Sequence, residues 1–579
     1  MVRRVLRRRR PPHAAVLLVA MLVGGGVMTS GAGSATTDGE GRPAPLAEQP
    51  ITVLQEALAG GRTTSVALVS DYLHRIALYD GMLHATLAVN RRALDEAADR
   101  DRERAAGYVR GPLHGIPIAV KDNIQTLDMP TTGGALAFDR FMAPYESTVV
   151  RRLRDAGAII IAKTGMTELA NWVAGAPTPM PTNYNALHGF GVNPYDPRRD
   201  PRPGADGRPV LATGGSSSGI GTAASLWAAN IGTETSGSIL SPSNQTMLAG
   251  LKPTVGRISR YGIIPITADQ DTPGPMARSV RDLAVLLTVL EGGAADPQDP
   301  ATARCTPGGD YAAGLRSDAL RGARIGIPRA YYYDPVVSGG TRDPRGGLTD
   351  AQRAVMREAI EVLRQQGATI VDPADVPSVL ASRPEDNLLD WSICADESPT
   401  APALCSIVLQ YGMKRDFGRW LASLGSHAPV SSLTALRAWN EAHRAAGAIR
   451  YGQSLLDRSD EIDLVRDAER YQRDRATDLR LAGAQGIDAA VRAHQLDALL
   501  FPGPTGASLA ARPGYPTVIV PFGFVPNAPS RPFPVGFEAR PAPFGVSFTG
   551  TACSEPRLLA LAYAFEQATR RRVAPSATP

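Results

Sequence analysis

The chain has 579 residues, of which 43% are hydrophobic and 20% charged. This composition is typical of globular proteins and excludes disordered, collagen-like and wholly membrane-embedded chains. The formal charge is +5, but six arginines lie within the first ten residues, and without residues 1–35 the charge is −1. The sequence therefore gives no reason to expect a nucleic-acid partner.

The N-terminus has the three parts of an export signal. Basic residues up to Arg10 precede Ala14–Val27, a run of apolar or small residues, and Gly33-Ser34-Ala35 then supplies the small-x-small pattern of a signal-peptidase site. The apolar run is shorter than the ~20 residues that span a bilayer, which disfavours a permanent anchor. Arg3-Arg4 is compatible with twin-arginine export as well as with the Sec route.

We therefore expect a signal peptide over residues 1–35, a flexible lead-in over 36–50 and a single domain over 51–575. The mature protein is expected to be secreted, and no stable membrane association is expected once the signal is removed.

Helices and buried strands alternate along the rest of the chain. Capping residues and helix-ending glycines indicate the helix limits, and short apolar runs indicate the strands. In chain order, the predicted elements are a helix through Val66–Ile76, a helix over Arg91–Arg104, a strand over Gly115–Val120, a helix over Thr148–Ala156, a strand over Ala158–Ala162, a helix from Thr349 to Gln366 and a strand over Ala368–Val371. This alternation predicts an α/β fold with a largely parallel sheet covered by helices. The Gly- and Pro-rich stretches 195–213 and 526–543 are predicted to be surface loops.

Four cysteines lie in the predicted mature part of the chain, and two interpretations of them stay open. Export favours disulfides, with Cys394 and Cys405 closing a short loop and Cys305 joined to Cys553. The alternative is four buried thiols. No C-x-x-C spacing occurs, which argues against a zinc site.

Two stretches rich in small residues are candidates for a reactive site. Gly214–Gly219 and Gly232–Ser238 combine glycines, whose backbone N–H groups can converge on one point, with serine hydroxyls, as an oxyanion hole beside a nucleophile requires. Taken singly, each stretch fits a tightly turning loop equally well. Gly215–Gly219 also fits the G-x-S-x-G nucleophile elbow, but that interpretation needs a well-placed histidine, and none is evident. Two further interpretations fail. A dinucleotide-binding turn would need a clear strand before it, and a P-loop would need a lysine after the glycines.

Lysine is scarce in this chain, which has 61 basic residues and only four lysines. Lys121 directly follows an apolar strand, where it could lose its proton through desolvation and act as a base, which an arginine cannot do. The alternative is an ion pair with Asp122. Lys163 has similar surroundings, and Lys252 has fewer apolar neighbours.

Taken together, these stretches resemble the amidase signature family. The similar segments follow the family's order, cover roughly residues 50–575, and are more specific together than any single loop. They are Gly111–Pro117, Val120–Asn123, Ile161–Thr164, Gly214–Gly219, Gly232–Ile239, Gly250–Gly256, Pro513–Pro516 and Ala562–Thr569.

The resemblance implies an α/β fold with a central mixed sheet between helices and a Ser–Ser–Lys catalytic triad. On the matching motifs, Ser238 is the expected acyl-forming nucleophile, Ser216 the bridging serine and Lys121 the general base. The resemblance also implies a cis peptide bond between Gly215 and Ser216. It implies no metal or other cofactor.

The same resemblance assigns the oxyanion hole to backbone N–H groups around Thr235, Ser236, Gly237 and Ser238. Two departures from the family pattern stand out. Only 22 positions separate Ser216 from Ser238, about two fewer than the family usually has, so Ser217 stays an alternative bridging residue. Ile239-Leu240 follows the nucleophile, where the family often has an arginine that contacts substrate.

Within the family, Gly232–Ser241, Gly262–Pro265 and Asp271–Met276 are most similar to secreted peptide amidases. The expected function is hydrolysis of a carboxamide bond through an acyl-enzyme, with peptide C-terminal amides or small-molecule amides as substrates. One alternative is the glutaminase subunit of a tRNA-dependent amidotransferase. The other is a non-catalytic binding protein on the same fold, because fold alone does not guarantee activity.

Overall fold

An eleven-stranded sheet organises the protein. The computed structural model describes residues 45–338, 343–395 and 404–579, so the predicted signal peptide and residues 36–44 of the predicted lead-in lie outside the described residues. The sheet strands are β1 (Thr86–Val89), β2 (Pro117–Lys121), β3 (Ile159–Thr164), β4 (Ala229–Glu234), β5 (Ala249–Lys252), β6 (Thr272–Ala277), β7 (Arg324–Gly326), β8 (Thr369–Val371), β9 (Ala498–Pro502), β10 (Thr517–Val525) and β11 (Ala542–Thr549).

The sheet is mixed, as expected, but its centre is antiparallel. The strand order is β1-β3-β2-β4-β6-β5-β10-β11-β9-β7-β8. Parallel pairs occur in two groups, β3-β2-β4 and β9-β7-β8, and account for four of the ten pairings. The prediction of a largely parallel sheet is therefore too strong. It extended the alternation of strands and helices to the whole sheet, whereas β10 and β11, which are consecutive along the chain, pair antiparallel near the centre of the sheet.

Helices pack on this sheet and form most of the chain between residues 404 and 494. The described α-helices are Ile51–Ala59, Ser65–Leu83, Ala93–Ala105, Thr148–Asp155, Ile220–Ala223, Leu240–Gln245, Val280–Glu291, Asp350–Gln365, Val408–Gly412, Gly418–Ser423, Leu433–Ala442, Ser454–Asp460, Ala468–Asp478, Asp488–His494, Ala507–Ala511 and Glu555–Thr569. Stretches with wider, π-type turns occur at Met413–Phe417 and Leu479–Ile487.

Local capping chemistry accounts for the predicted helix limits. The Thr64 hydroxyl accepts the amide of Ala67 at the start of one helix, and Thr349 and Gln352 form a reciprocal capping box at the start of another. The helix from Thr148 ends just before Gly157, whose φ of +87° suits glycine. All seven predicted elements are present, with ends within a few residues of the prediction for every one except the first helix, which extends to Leu83.

Two large hydrophobic clusters fill most of the interior of the described residues. The larger one packs the helices against the sheet. The second lies under the helical region after residue 404 and contains Phe138, Phe141, Phe417 and Trp420, whose rings meet edge to face or tilted. Side chains of both clusters border the cavity described below, which places that cavity where the helical region meets the sheet.

The described end of the predicted lead-in is packed against the protein. The Tyr72 hydroxyl donates to the carbonyl oxygen of Ala47 at 3.0 Å, and Arg572 lies 2.9 Å from a Glu48 carboxylate oxygen. The predicted flexibility therefore does not extend to residues 45–50, because these contacts fix them.

Two disulfides join the four cysteines. They connect Cys305 with Cys553 and Cys394 with Cys405, with Cα–Cα distances of 5.6 and 5.0 Å. These are the pairs that the export interpretation predicted, and the alternative of four free thiols is wrong. Among the described residues, none of the helices combines the length and the apolar character needed to cross a bilayer.

Candidate active site

The candidate site lies where the carboxyl ends of β2 and β4 meet. These strands are parallel neighbours, with Val120 opposite Ile231, so the last residue of β2, Lys121, comes next to the end of β4. The apolar strand residues bury this lysine completely, with 0% of its surface exposed. Its position follows from the pattern that predicted it, an apolar run ending in lysine.

The Lys121 amine has three hydrogen-bond partners. Nζ lies 2.8 Å from the hydroxyl oxygen of Ser216, 2.9 Å from that of Thr233 and 3.3 Å from the carbonyl oxygen of Thr233. Asn123 donates to the same Thr233 hydroxyl at 3.1 Å. Burial lowers the pKa of Lys121 to about 7, against the opposing attraction of Asp271 and Glu234.

Ser216 reaches Lys121 from the loop that precedes the short helix Ile220–Ala223. Backbone hydrogen bonds hold this loop to two other segments. The Ser216 carbonyl accepts the amide of Thr167 at 3.1 Å, and the Ser217 amide donates to the Ser238 carbonyl at 3.1 Å. The Ser217 hydroxyl donates to the Thr233 carbonyl instead of contacting Lys121. The structure thus brings Ser216, and not the alternative Ser217, to the lysine.

The expected cis bond between Gly215 and Ser216 is wrong for this structure. In the described part of the chain, cis bonds occur only at Ala176–Pro177 and Asp372–Pro373. The Ser216 hydroxyl reaches Lys121 with a trans bond, so the contact does not require the energetic cost of a cis bond that does not involve proline. Gly215 is needed for space, since a Cβ there would lie 2.7 Å from the Cα of Ser238.

Ser238 follows β4 in a turn made by Gly237, whose φ is +88°. Glu234 stabilises the far side of this turn, accepting the amides of Ile239 and Leu240 at 2.6 and 2.9 Å. No hydrogen bond links the Ser216 and Ser238 side chains among the residues described, although their backbones adjoin. Lys121 therefore contacts Ser216 directly, whereas the Ser238 side chain makes no hydrogen bond with Ser216 in this structure.

The predicted oxyanion residues form a short loop that is exposed to solvent mainly at Ser236. Ser236 is exposed, and Thr235 and Ser238 are 8% and 9% exposed. Within the described ranges, the backbone N–H groups of Ser236, Gly237 and Ser238 donate to no protein acceptor. Unpaired amides on a short turn beside a serine can bind a negatively charged oxygen.

A cavity of about 290 Å³ adjoins this loop. Its wall is largely apolar and aromatic, and Thr233 and Thr235 connect it to the site. The other lining residues that matter below are Asn123, Tyr145, Tyr261, Ile264, Ile266, Asp271 and Trp420. The rings of Tyr145 and Tyr261 stack with centroids 4.9 Å apart. Lys121, Ser216 and Ser238 do not line the cavity, so it is a neighbouring compartment of the site.

A family model described as Amidase matches residues 67–559, most of the chain. The chain belongs to the amidase family. A putative amidase of Arthroderma benhamiae is 32% identical over 524 residues, covering 90% of this chain and 81% of that protein. One subunit of the glutamyl-tRNA(Gln) amidotransferase of Chloroflexus aurantiacus is 40% identical over 326 residues, which is 56% of this chain and 59% of that relative.

Solved peptide amidase structures are similar to this amidase over almost its whole length. The native peptide amidase from Stenotrophomonas maltophilia is 36% identical, with a TM-score of 0.74, covering 92% of this chain and all of that one. A peptide amidase in complex with the competitive inhibitor chymostatin is 37% identical, with a TM-score of 0.75 and the same coverage. The protein is thus an amidohydrolase that acts on amides, and the non-catalytic alternative is set aside.

Two other buried lysines, Lys163 and Lys252, make contacts outside the candidate site. Lys163, not Lys121, pairs with Asp122, at 3.4 Å, and donates to the Thr131 hydroxyl at 2.9 Å. Lys252 donates to the carbonyl oxygens of Pro253 and Tyr515. The ion pair that competed with the catalytic interpretation of Lys121 therefore exists, but Lys163 makes it.

Sequence reasoning missed several residues of the site. Thr233, Asn123 and Asp271 stand inside quoted motifs, yet no function was predicted for their side chains. Asn123 lies two residues after Lys121 and Thr233 five before Ser238, so proximity in the chain was the available signal. The cavity wall around Ile264 and Trp420 is assembled from distant segments, and no local pattern predicts that.

Proposed function

We propose that this amidase is a secreted enzyme that hydrolyses C-terminal amides of peptides through a Lys121–Ser216–Ser238 triad and an acyl-enzyme. The observation that carries the proposal is the 2.8 Å contact between the Lys121 amine and the Ser216 hydroxyl in a fully buried position.

Burial favours a neutral Lys121 amine, and the contacts of the lysine accommodate a neutral amine whose lone pair faces Ser216. A neutral amine has two N–H donors and one lone pair, and Lys121 has three partners. The Thr233 carbonyl can only accept, and Asn123 donates to the Thr233 hydroxyl, whose second lone pair is then available to Lys121. With both N–H groups donating to Thr233, the lone pair is left for the proton of Ser216.

The proposed reaction begins with two linked proton transfers. Lys121 takes the proton of the Ser216 hydroxyl, Ser216 takes that of Ser238, and the Ser238 oxygen attacks the amide carbonyl carbon. This requires the Ser238 hydroxyl to come within hydrogen-bond distance of the Ser216 hydroxyl when substrate binds. Catalytic hydrogen bonds often shorten only in the substrate complex.

The tetrahedral intermediate then collapses. Its oxygen carries a negative charge, which the N–H groups of Thr235 to Ser238 stabilise, and a proton returning through Ser216 converts the leaving nitrogen into ammonia. Water, activated by the same relay, attacks the ester carbon of acylated Ser238 and releases the carboxylic acid. Neither half of the reaction requires a metal or another cofactor.

The cavity and the comparisons support a peptide amide as substrate. An apolar, aromatic cavity of about 290 Å³ next to the oxyanion loop suits the side chain of a substrate residue better than a bare small amide. Solved peptide amidase structures, at 36% and 37% identity, match over almost the full length of the fold, and one of them holds a competitive inhibitor.

Secretion is supported by the N-terminal signal pattern and by the two disulfides, which persist in oxidising compartments. The amidotransferase alternative is less well supported, because the similarity to that enzyme covers 56% of this chain. Fractionating the native host, with mass determination of the mature N-terminus, tests secretion. Cytosolic protein that keeps residues 1–35 would contradict it.

The function is tested by ammonia release from a panel of peptide amides, simple amides and free glutamine. We expect peptide amides to react best, Lys121→Met to lose activity at least about a thousandfold, and Lys252→Met, a second buried lysine outside the site, to stay active. Glutamine as the preferred substrate would favour the amidotransferase alternative, and an active Lys121→Met would contradict the triad.

A further inference from the structure

A carboxylate on the cavity wall holds the base of the oxyanion loop. Asp271 Oδ1 accepts the hydroxyl of Thr235 at 2.6 Å, and Gln270 donates its side-chain amide to the Thr235 carbonyl at 3.2 Å. Thr235 is therefore fixed at both its side chain and its backbone. It is also the last residue before Ser236, Gly237 and Ser238, whose N–H groups face no protein acceptor among the described residues.

The other oxygen of the same carboxylate holds the cavity wall. Asp271 Oδ2 accepts the amides of Ile266 and Thr267 at 2.8 and 2.9 Å. The next residue, Ala268, donates its amide to Asp416 at 2.7 Å, in the helical segment that also brings Trp420 to the cavity. One side chain thus joins the loop that would bind the oxyanion to the wall that would bind the substrate.

The contacts of Asp271 stabilise a buried charge as well as the loop. Burial raises the pKa of Asp271 to about 6, because it disfavours the charged carboxylate. The three hydrogen bonds that Asp271 accepts stabilise this charge. The loop after Thr235 is held on its far side by Glu234, which accepts the amides of Ile239 and Leu240, and on its near side by the contacts of Thr235. Oxyanion holes lower the barrier only when their donors are already in place.

We infer that Asp271 is a positioning residue of the amidase reaction: through Thr235 it fixes the oxyanion loop and couples that loop to the substrate cavity. The inference rests on the proposed function, because it takes Ser236 to Ser238 as the donors to the oxyanion. Asp271 itself is not a catalytic residue, since it does not contact the reacting atoms.

Three variants and one control test the inference. Asp271→Asn keeps the shape but replaces one acceptor oxygen by an NH₂ donor. If the remaining oxygen accepts the wall amides, the Thr235 hydroxyl can no longer donate to residue 271. Thr235→Val removes only the hydroxyl, and Thr235→Ser keeps it. The control is Asp282→Asn, because Asp282 is also a buried carboxylate, with its pKa raised by burial to about 6, but accepts the amide of Ile51 and does not line the cavity.

The decisive readout compares a peptide aldehyde with the matching peptide alcohol as inhibitors. The aldehyde carbonyl adds the Ser238 hydroxyl to give a hemiacetal whose oxygen occupies the oxyanion hole, whereas the alcohol binds without forming that bond. We expect Asp271→Asn and Thr235→Val to lower kcat about tenfold to a hundredfold and to weaken aldehyde inhibition by a similar factor. KM and alcohol inhibition should change less than about threefold. Thr235→Ser should recover most of the kcat and aldehyde inhibition lost in Thr235→Val, and Asp282→Asn should behave like the unsubstituted enzyme.

Equal weakening of aldehyde and alcohol inhibition would overturn the inference, because it would indicate a general loss of the binding site. Normal kcat in Thr235→Val would overturn it as well. Failure of the proposed function looks different: the unsubstituted enzyme would then bind aldehyde no better than alcohol and form no adduct at Ser238.

Discussion

The amine of Lys121 and the hydroxyl of Ser216 are 2.8 Å apart, in a site where the lysine side chain is fully buried. The lysine comes from the end of a sheet strand and the serine from a loop 95 residues further along the chain. Burial disfavours the charged amine, so the same packing that forms the contact also prepares the lysine to accept a proton.

The first prediction concerns the pH dependence of catalysis. Lys121 must be neutral to take a proton from Ser216, and its pKa is lowered by burial to about 7. The value of kcat/KM should therefore rise about tenfold per pH unit below pH 7 and level off above it. A pH profile with a peptide amide measures this. An acid limb near the ordinary lysine pKa, above pH 10, would contradict the assignment.

The second prediction is that Lys121, the proposed base, destabilises the fold. In the unfolded chain Lys121 regains its ordinary pKa of 10.5, so between about pH 7 and 10.5 the unfolded state binds more protons and stability rises with pH. One pKa unit corresponds to about 1.36 kcal/mol, so near pH 7 the penalty is on the order of 4 kcal/mol. Lys121→Met should thus be inactive yet melt at a higher temperature than the unsubstituted enzyme. A lower melting temperature would contradict this.

The third prediction concerns a buried ion cluster outside the proposed triad. Arg257 lies 2.7 Å from Glu291 and 2.9 Å from Glu555, with both carboxylates buried. Arg257→Leu leaves two carboxylates without their cation and should lower the free energy of unfolding by about 3–5 kcal/mol. Arg316→Leu, which removes the exposed pair with Asp318, is the control and should leave stability unchanged. Denaturant titration distinguishes the two.

The fourth prediction concerns the two disulfides. Cys305 and Cys553 are 248 positions apart, whereas Cys394 and Cys405 are 11 apart. Restriction of the unfolded chain grows with loop length, so replacing both cysteines by serine should cost about 5 kcal/mol for the long loop and about 3 kcal/mol for the short one. Reductant should lower the melting temperature of the unsubstituted enzyme. Equal melting temperatures with and without reductant would indicate that the bonds do not stabilise the fold.

Local sequence patterns predicted the parts of the fold that depend on local chemistry. Thr64, Thr349 and Gly157 limit helices because their own side-chain or backbone properties do so, and Lys121 stood out because apolar residues precede it. The order of the sheet was not predictable in this way. The pairing of β4 with β6 and of β5 with β10 depends on tertiary packing.

The same distinction holds for the site. Ser216 and Ser238 were found through the family resemblance, and the contact of Ser216 with Lys121 agrees with it. The hydrogen bond between Thr235 and Asp271 spans 36 residues, and no periodicity or motif spacing indicates such a contact. The trans bond at Gly215 could not be foreseen either, since the resemblance implied the opposite.

The triad itself is tested most directly by labelling with a fluorophosphonate, which phosphonylates an activated serine, followed by peptide mass mapping. At pH 8 we expect one adduct, on the peptide that contains Ser238. Labelling should be abolished in Ser238→Ala and slowed at least about a hundredfold in Lys121→Met and Ser216→Ala. An adduct on another serine, or unchanged labelling in the Lys121→Met enzyme, would contradict the account.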